Sequence, residues 1–147
     1  MLNAKNMRRY DDKQEHTPTA ETQDHFVEKH LKFAGTHITL DFWGASQLDD
    51  MELMETAMRK SVIAAHATLL HIHLHRFTPS GGLSGVAVLA ESHISVHTWP
   101  ERDFAAFDIF MCGDADPMKA ARVLKEAFKP NSVTINEMFR GRVEETL

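Results

Sequence analysis

The stretch "VAVLAESHISVHTWPE", residues 86–101, decides how this chain is to be read. "VAVLA" and "HISVHTW" are strand-like runs, rich in β-branched residues, and only Glu91 and Ser92 separate them. A strand in a folded core needs apolar residues at alternate positions, yet Glu91, Ser92, His93, Ser95 and His97 crowd into this run. Three explanations compete: a polar sheet face, a metal site, or a place where the chain does covalent chemistry.

The flanking patterns set the architecture. Upstream, "FAGTHITLDFWG" (33–44) alternates, with Ile38, Leu40 and Phe42 on one face and His37, Thr39 and Asp41 on the other. Ser46 or Asp49 can cap the following segment, where Met51, Met54, Met58, Val62 and Ala65 recur at helical spacing. That methionine stripe is core and implies no cofactor. In "ATLLHIHLHRF" (67–77), Leu70, Ile72 and Leu74 face one way and His71, His73, His75 and Phe77 the other, giving a second strand. "TPSGGLSG" turns the chain.

Downstream, "WPERD" is the next turn and "FAAFDIFMC" (104–112) another strand. Asp116 before Pro117 starts a helix carrying Met118, Ala121, Val123, Leu124 and Phe128 and ending near Pro130; "SVTINEMF" closes as a strand. The expected fold is α+β, a mostly antiparallel sheet with two helices on one face. Large aromatics such as Phe77 and Trp99 fall on the other face. Two copies are therefore expected to pack sheet against sheet as a dimer.

Composition narrows the function. The 147 residues are 43% hydrophobic and 25% charged, which suits one globular domain. Residues 1–27 are polar and aperiodic and include Pro18, so they are expected to form a disordered tail ahead of a domain at 28–147. A formal charge of −5 with scattered basic residues argues against nucleic acid. No apolar run reaches membrane length and no secretory signal opens the chain, so a cytoplasmic protein is expected. The single Cys112 is either an inert small hydrophobe or a catalytic thiol.

The simpler chemistries fit poorly. His71, His73 and His75 share a strand face, but i and i+2 positions lie about 7 Å apart along the chain, too far to converge on Zn–N bonds of about 2.0 Å. These three read as a polar face, and no metal is expected; a non-enzymatic, His-rich metal-binding module is the distant alternative. "GLSG" (82–85) is not the G-x-S-x-G elbow of a serine hydrolase, and "PSGGLSG" lacks the lysine of a phosphate loop. No lysine in the central motifs offers an anchor for pyridoxal phosphate.

A chain can instead make its own electrophile. If Ser92 Oγ attacks the Glu91 carbonyl, the peptide becomes an ester; β-elimination then splits the chain, and hydrolysis leaves a pyruvoyl group where Ser92 stood. This needs a hydroxyl next to the scissile carbonyl, a strained turn and a proton-moving group, and "ESHISVH" offers all three. Ser92 and His97 are five residues apart, so a bend near Glu91 is expected to bring them together.

Taken together, "HRFTPSGGLSG", "ESHISVHTWPE" and "FDIFMCGDADP" resemble the prokaryotic S-adenosylmethionine decarboxylase proenzymes, a likeness running from about Phe33 to Arg142. The resemblance implies cleavage between Glu91 and Ser92 into a β chain (1–91) and an α chain (92–147), working as a homodimer of cleaved protomers. Ser92 then matches the pyruvoyl precursor, which forms a Schiff base with the substrate amine. His97 matches the proton acceptor in processing, Cys112 the proton donor in catalysis and Ser84 a serine that assists processing. Glu101 and Phe77 match substrate contacts, to the ribose hydroxyls and to the ligand respectively. The expected activity is decarboxylation of S-adenosylmethionine to an aminopropyl donor for spermidine synthesis. Ornithine or arginine decarboxylation by the same pyruvoyl machinery is the alternative.

Overall fold

The computed structural model describes residues 7–11 and 31–144. Its strands and helices are β1 (Met7–Asp11), β2 (Leu31–Lys32), β3 (Gly35–Trp43), α1 (Met51–Ala64), β4 (Leu69–Arg76), β5 (Leu83–Leu89), β6 (Ser92–Trp99), β7 (Phe104–Cys112), α2 (Pro117–Phe128), β8 (Ser132–Arg140) and β9 (Val143–Glu144). Six long antiparallel strands, with β1 added at one edge, form a sheet in the order β1-β8-β3-β7-β6-β5-β4. β1 falls within the stretch read as a tail; residues 12–30 and the other N-terminal positions lie outside the described residues.

The alternation that suggested the strands also decides which face is buried. Ile38, Leu40 and Phe42 of β3, Ile94 and Val96 of β6, and Phe107, Ile109 and Met111 of β7 are buried against Met54, Met58 and Val62 of α1 and Leu124 and Phe128 of α2. Both helices therefore cover one sheet face, called here the inner face. The other, outer face is open along its length, with Trp43, Val86, Val88 and Trp99 exposed on it.

Helix boundaries follow from side-chain caps. Asp116 accepts a hydrogen bond from the Met118 N–H at the start of α2, with Pro117 as the first helical residue. At α1 the cap is Asp50, which accepts from the Leu53 N–H, rather than Ser46 or Asp49. Ser46 instead donates from both its N–H and its hydroxyl to the Phe128 carbonyl, tying the approach to α1 to the end of α2.

A second departure lies in β4. The pairing of β4 with β5 slips between Leu69 and His71, so Leu70 is the bulged residue and is 64% exposed. Leu69, Ile72 and Leu74 take the inward positions. His71, His73 and His75 are exposed on this edge strand, spread along it as the spacing predicts.

Candidate active site

The turn at Ala90–Glu91 joins β5 to β6, and Leu89 pairs with Ser92 directly across it. Glu91 has φ 58°, a left-handed conformation uncommon for a residue with a Cβ, so the carbonyl before Ser92 sits in a constrained turn. Ser92 is the first residue of β6, 8% exposed, and its Oγ accepts a hydrogen bond of 3.2 Å from the Cys112 N–H at the end of β7. Glu91, Ser92 and Cys112 thus meet at one end of the sheet.

A different group meets toward the other end. Ser84 and His97 are cross-strand partners on β5 and β6, and Ser84 Oγ shares a 2.7 Å hydrogen bond with His97 Nδ1. The same two residues line a cavity of about 250 Å³ with Phe77, Ser80, Gly82, Trp99 and Glu101. Phe77 lies just past the end of β4, its ring edge-on to His75 at 4.7 Å between centroids. Trp99 stacks on Phe104 at 5.2 Å, and Phe104 on Trp43 at 4.3 Å, so an aromatic row continues from the cavity across the outer face.

The two groups do not join within one chain. β6 alternates without interruption, with Ser92, Ile94, Val96 and Thr98 buried and His97 and Trp99 exposed. Ser92 and His97 therefore occupy opposite faces, and five residues of extended chain separate them by about 17 Å. The expected turn at Glu91 exists, but it precedes β6 and leaves that separation intact. Side-chain alternation puts Cys112, two residues beyond Phe110 on β7, on the outer face with His97, but at the Ser92 end.

The sequence missed one cluster between these ends. Register sets His37 of β3 and His93 of β6 on either side of Phe110, with Asp108 two residues along β7. His37 Nε2 lies 2.5 Å and His93 Nε2 3.4 Å from the same Asp108 oxygen. These are the residues among those described whose ligand atoms come within 4.8 Å of one another, close enough to share a cation. Arg140, however, approaches His37 Nδ1 at 3.1 Å, and because a guanidinium can only donate, that contact favours the tautomer with its proton on Nε2, directed at Asp108. The cluster closes as a hydrogen-bonded chain from Arg140 through His37 to Asp108, with His93 alongside. Outward alternation flags each residue singly, but only the pairing of β3, β6 and β7 unites them.

Fold and site define a class: an α+β chain whose hairpin turn presents a serine after a constrained carbonyl, with the N–H of a cysteine on its hydroxyl and a serine–histidine pair farther along the same sheet. The S-adenosylmethionine decarboxylase family is matched by residues 36–141. Similar chains include the S-adenosylmethionine decarboxylase proenzyme of Thermomicrobium roseum, 39% identical over 77% of this chain and 98% of the relative. Those of Thermotoga maritima and Methanococcus vannielii are each 42% identical over 78% of this chain, covering 90% and 95% of the relative. The crystal structure of the adenosylmethionine decarboxylase from Aquifex aeolicus superposes with a TM-score of 0.69 at 35% identity, covering 79% of this chain and 98% of that one. This chain belongs to the S-adenosylmethionine decarboxylase family. No helix among the described residues is long and apolar enough to cross a membrane.

Proposed function

We propose that the chain is the proenzyme of a pyruvoyl-dependent S-adenosylmethionine decarboxylase, processed at Glu91–Ser92. The observation that carries this reading is the junction itself: Glu91 at φ 58° immediately before a shielded Ser92 whose Oγ accepts the Cys112 N–H. A hydroxyl held next to a constrained carbonyl is the starting arrangement for an N-to-O acyl shift. In that shift the Ser92 Cβ–O group forms an ester with Glu91 and frees the Ser92 nitrogen. Loss of the Ser92 Cα proton then breaks the Cβ–O bond, releasing the Glu91 carboxylate. Hydrolysis of the resulting enamine, with one water consumed, expels ammonia and leaves the α-chain terminus as a ketone.

The residues at the junction fit such a group. The Cys112 N–H already addresses the Ser92 position, and Cys112 itself follows Phe110 on the outer face. The pyruvoyl group supplies an electron sink for the charge left when CO₂ departs. Cys112 is assigned the proton donor, a thiol at the same end of the sheet as the Ser92 position. His97, with Ser84 on its Nδ1, is assigned the proton acceptor in processing. Glu101 and Phe77 share the cavity of that pair and are assigned to substrate, a carboxylate for hydroxyls and an aromatic face for a sulfonium cation.

The same geometry supports a dimer. One chain holds Ser92 about 17 Å from its own His97, whereas two sheets packed outer face to outer face, about a two-fold axis running across the strands, set the Ser84–His97 pair of one against the outer-face Cys112 of the other, beside the Glu91–Ser92 turn at that sheet end. The exposed Trp43, Val86, Val88 and Trp99 give that face the apolar area to be covered. Each site is then completed by His97 of the partner subunit. Side-by-side measurement of CO₂ release from S-adenosylmethionine, ornithine and arginine tests the substrate. Release from S-adenosylmethionine alone is expected, and release from either basic amino acid but not from it overturns the reading.

A further inference from the structure

The Ser84–His97 pair is exposed, so burial does not hold it; what fixes it lies beneath. Thr98, the residue after His97, points to the inner face and is 6% exposed. Its Oγ1 accepts the Leu83 N–H at 2.8 Å and donates to the Leu48 carbonyl at 2.8 Å. Leu83 is the residue before Ser84, and the β5–β6 backbone pairing runs no further than Ser84 opposite His97. The Thr98 hydroxyl therefore takes over where the ladder stops, and it binds that end of β5 to the loop that leads into α1.

On its other side Ser84 is paired with His75 of β4, and Leu83 with Arg76, so the Thr98 hydroxyl is what secures the β6 side of this end. The Phe77–Gly82 turn closes on itself, through Phe77 N–H to the Gly82 carbonyl and Gly81 N–H to the Phe77 carbonyl. A Cβ on Gly82 would come within 2.8 Å of the Thr98 carbonyl, so the turn also lies directly against Thr98. Removing the hydroxyl while keeping the shape leaves a buried N–H and a buried C=O without partners, which favours fraying at that point.

We propose that Thr98 is a positioning residue for the processing reaction, holding Ser84 at hydrogen-bond distance from His97 through Leu83. This rests on the assignment of Ser84 and His97 to processing. The test is the rate of chain cleavage in Thr98→Val, Thr98→Ser and Ser84→Ala, and in the double variant Ser84→Ala/Thr98→Val, followed by intact mass from freshly folded precursor. Thr98→Val is expected to slow cleavage by about tenfold or more and Thr98→Ser to recover most of the rate. In the Ser84→Ala background Thr98→Val is expected to add less than about twofold, because its effect passes through Ser84. A merely structural Thr98 gives the same fold-loss in both backgrounds, and that result overturns the proposal, as does parental cleavage in Thr98→Val. If the unsubstituted chain itself does not cleave, the processing assignment fails instead. Where Thr98→Val does not fold, Thr98→Ser against Thr98→Ala supplies the same comparison, and equal cleavage in those two counts against the proposal.

Discussion

Ser92 and His97 lie on opposite faces of one strand, β6, with Ser92 turned toward the helices and His97 on the outer face beside Ser84. If processing needs both, two chains must supply them, and complementation tests this. Coexpressed Ser92→Ala and His97→Ala chains, each uncut or at least about 100-fold slow as homodimers, are expected to form a hybrid with one complete site. In it the His97→Ala chain is cleaved. A hybrid of demonstrated composition in which neither chain is cut contradicts the shared site.

Ser92→Ala is expected to leave a single 147-residue chain with no decarboxylase activity. Because the Cys112 N–H loses its acceptor, a stability loss of about 1 kcal/mol is expected by denaturant titration, too small to unfold the domain. Intact mass and a melting curve on the same sample separate lost chemistry from lost fold.

Cys112→Ala is expected to cleave yet turn over slowly, with kcat down by about 100-fold or more if the thiol is the general acid. Single-turnover CO₂ release and product analysis check this. A variant with parental kcat and clean product removes Cys112 from the role.

The packing account predicts that the sheet–helix layer carries stability independently of the site. Phe128→Ala, which truncates a fully buried ring in contact with Phe107, is expected to cost about 3–5 kcal/mol in denaturant unfolding. Ile63→Ala, at a position 74% exposed on α1, is expected to change stability by less than about 0.5 kcal/mol. Equal effects from the two contradict the assignment of the inner face.

Much of this layer was legible because local patterns carry it. Period-two burial in β3 and β7 and the Asp116–Pro117 helix start depend on neighbours along the chain. The exposure of Leu70 was not legible, since a bulge in β4 depends on pairing with β5. The site split the same way. "ESHISVHTWPE" marked Ser92 and His97, but not their placement on opposite faces, because the expected bend falls before Ser92 rather than within β6. His37, 71 residues from Asp108, and Thr98, 50 from Leu48, met their partners only through strand register and loop packing.

The central claim is that this chain breaks its own Glu91–Ser92 bond to make the group with which it reacts. Intact mass of the full-length protein, purified without protease exposure, tests it most directly. The account predicts two fragments, residues 1–91 ending in a free carboxylate and residues 92–147 bearing an N-terminal pyruvoyl in place of Ser92, each at equal abundance. A single uncut chain that nonetheless decarboxylates S-adenosylmethionine contradicts it.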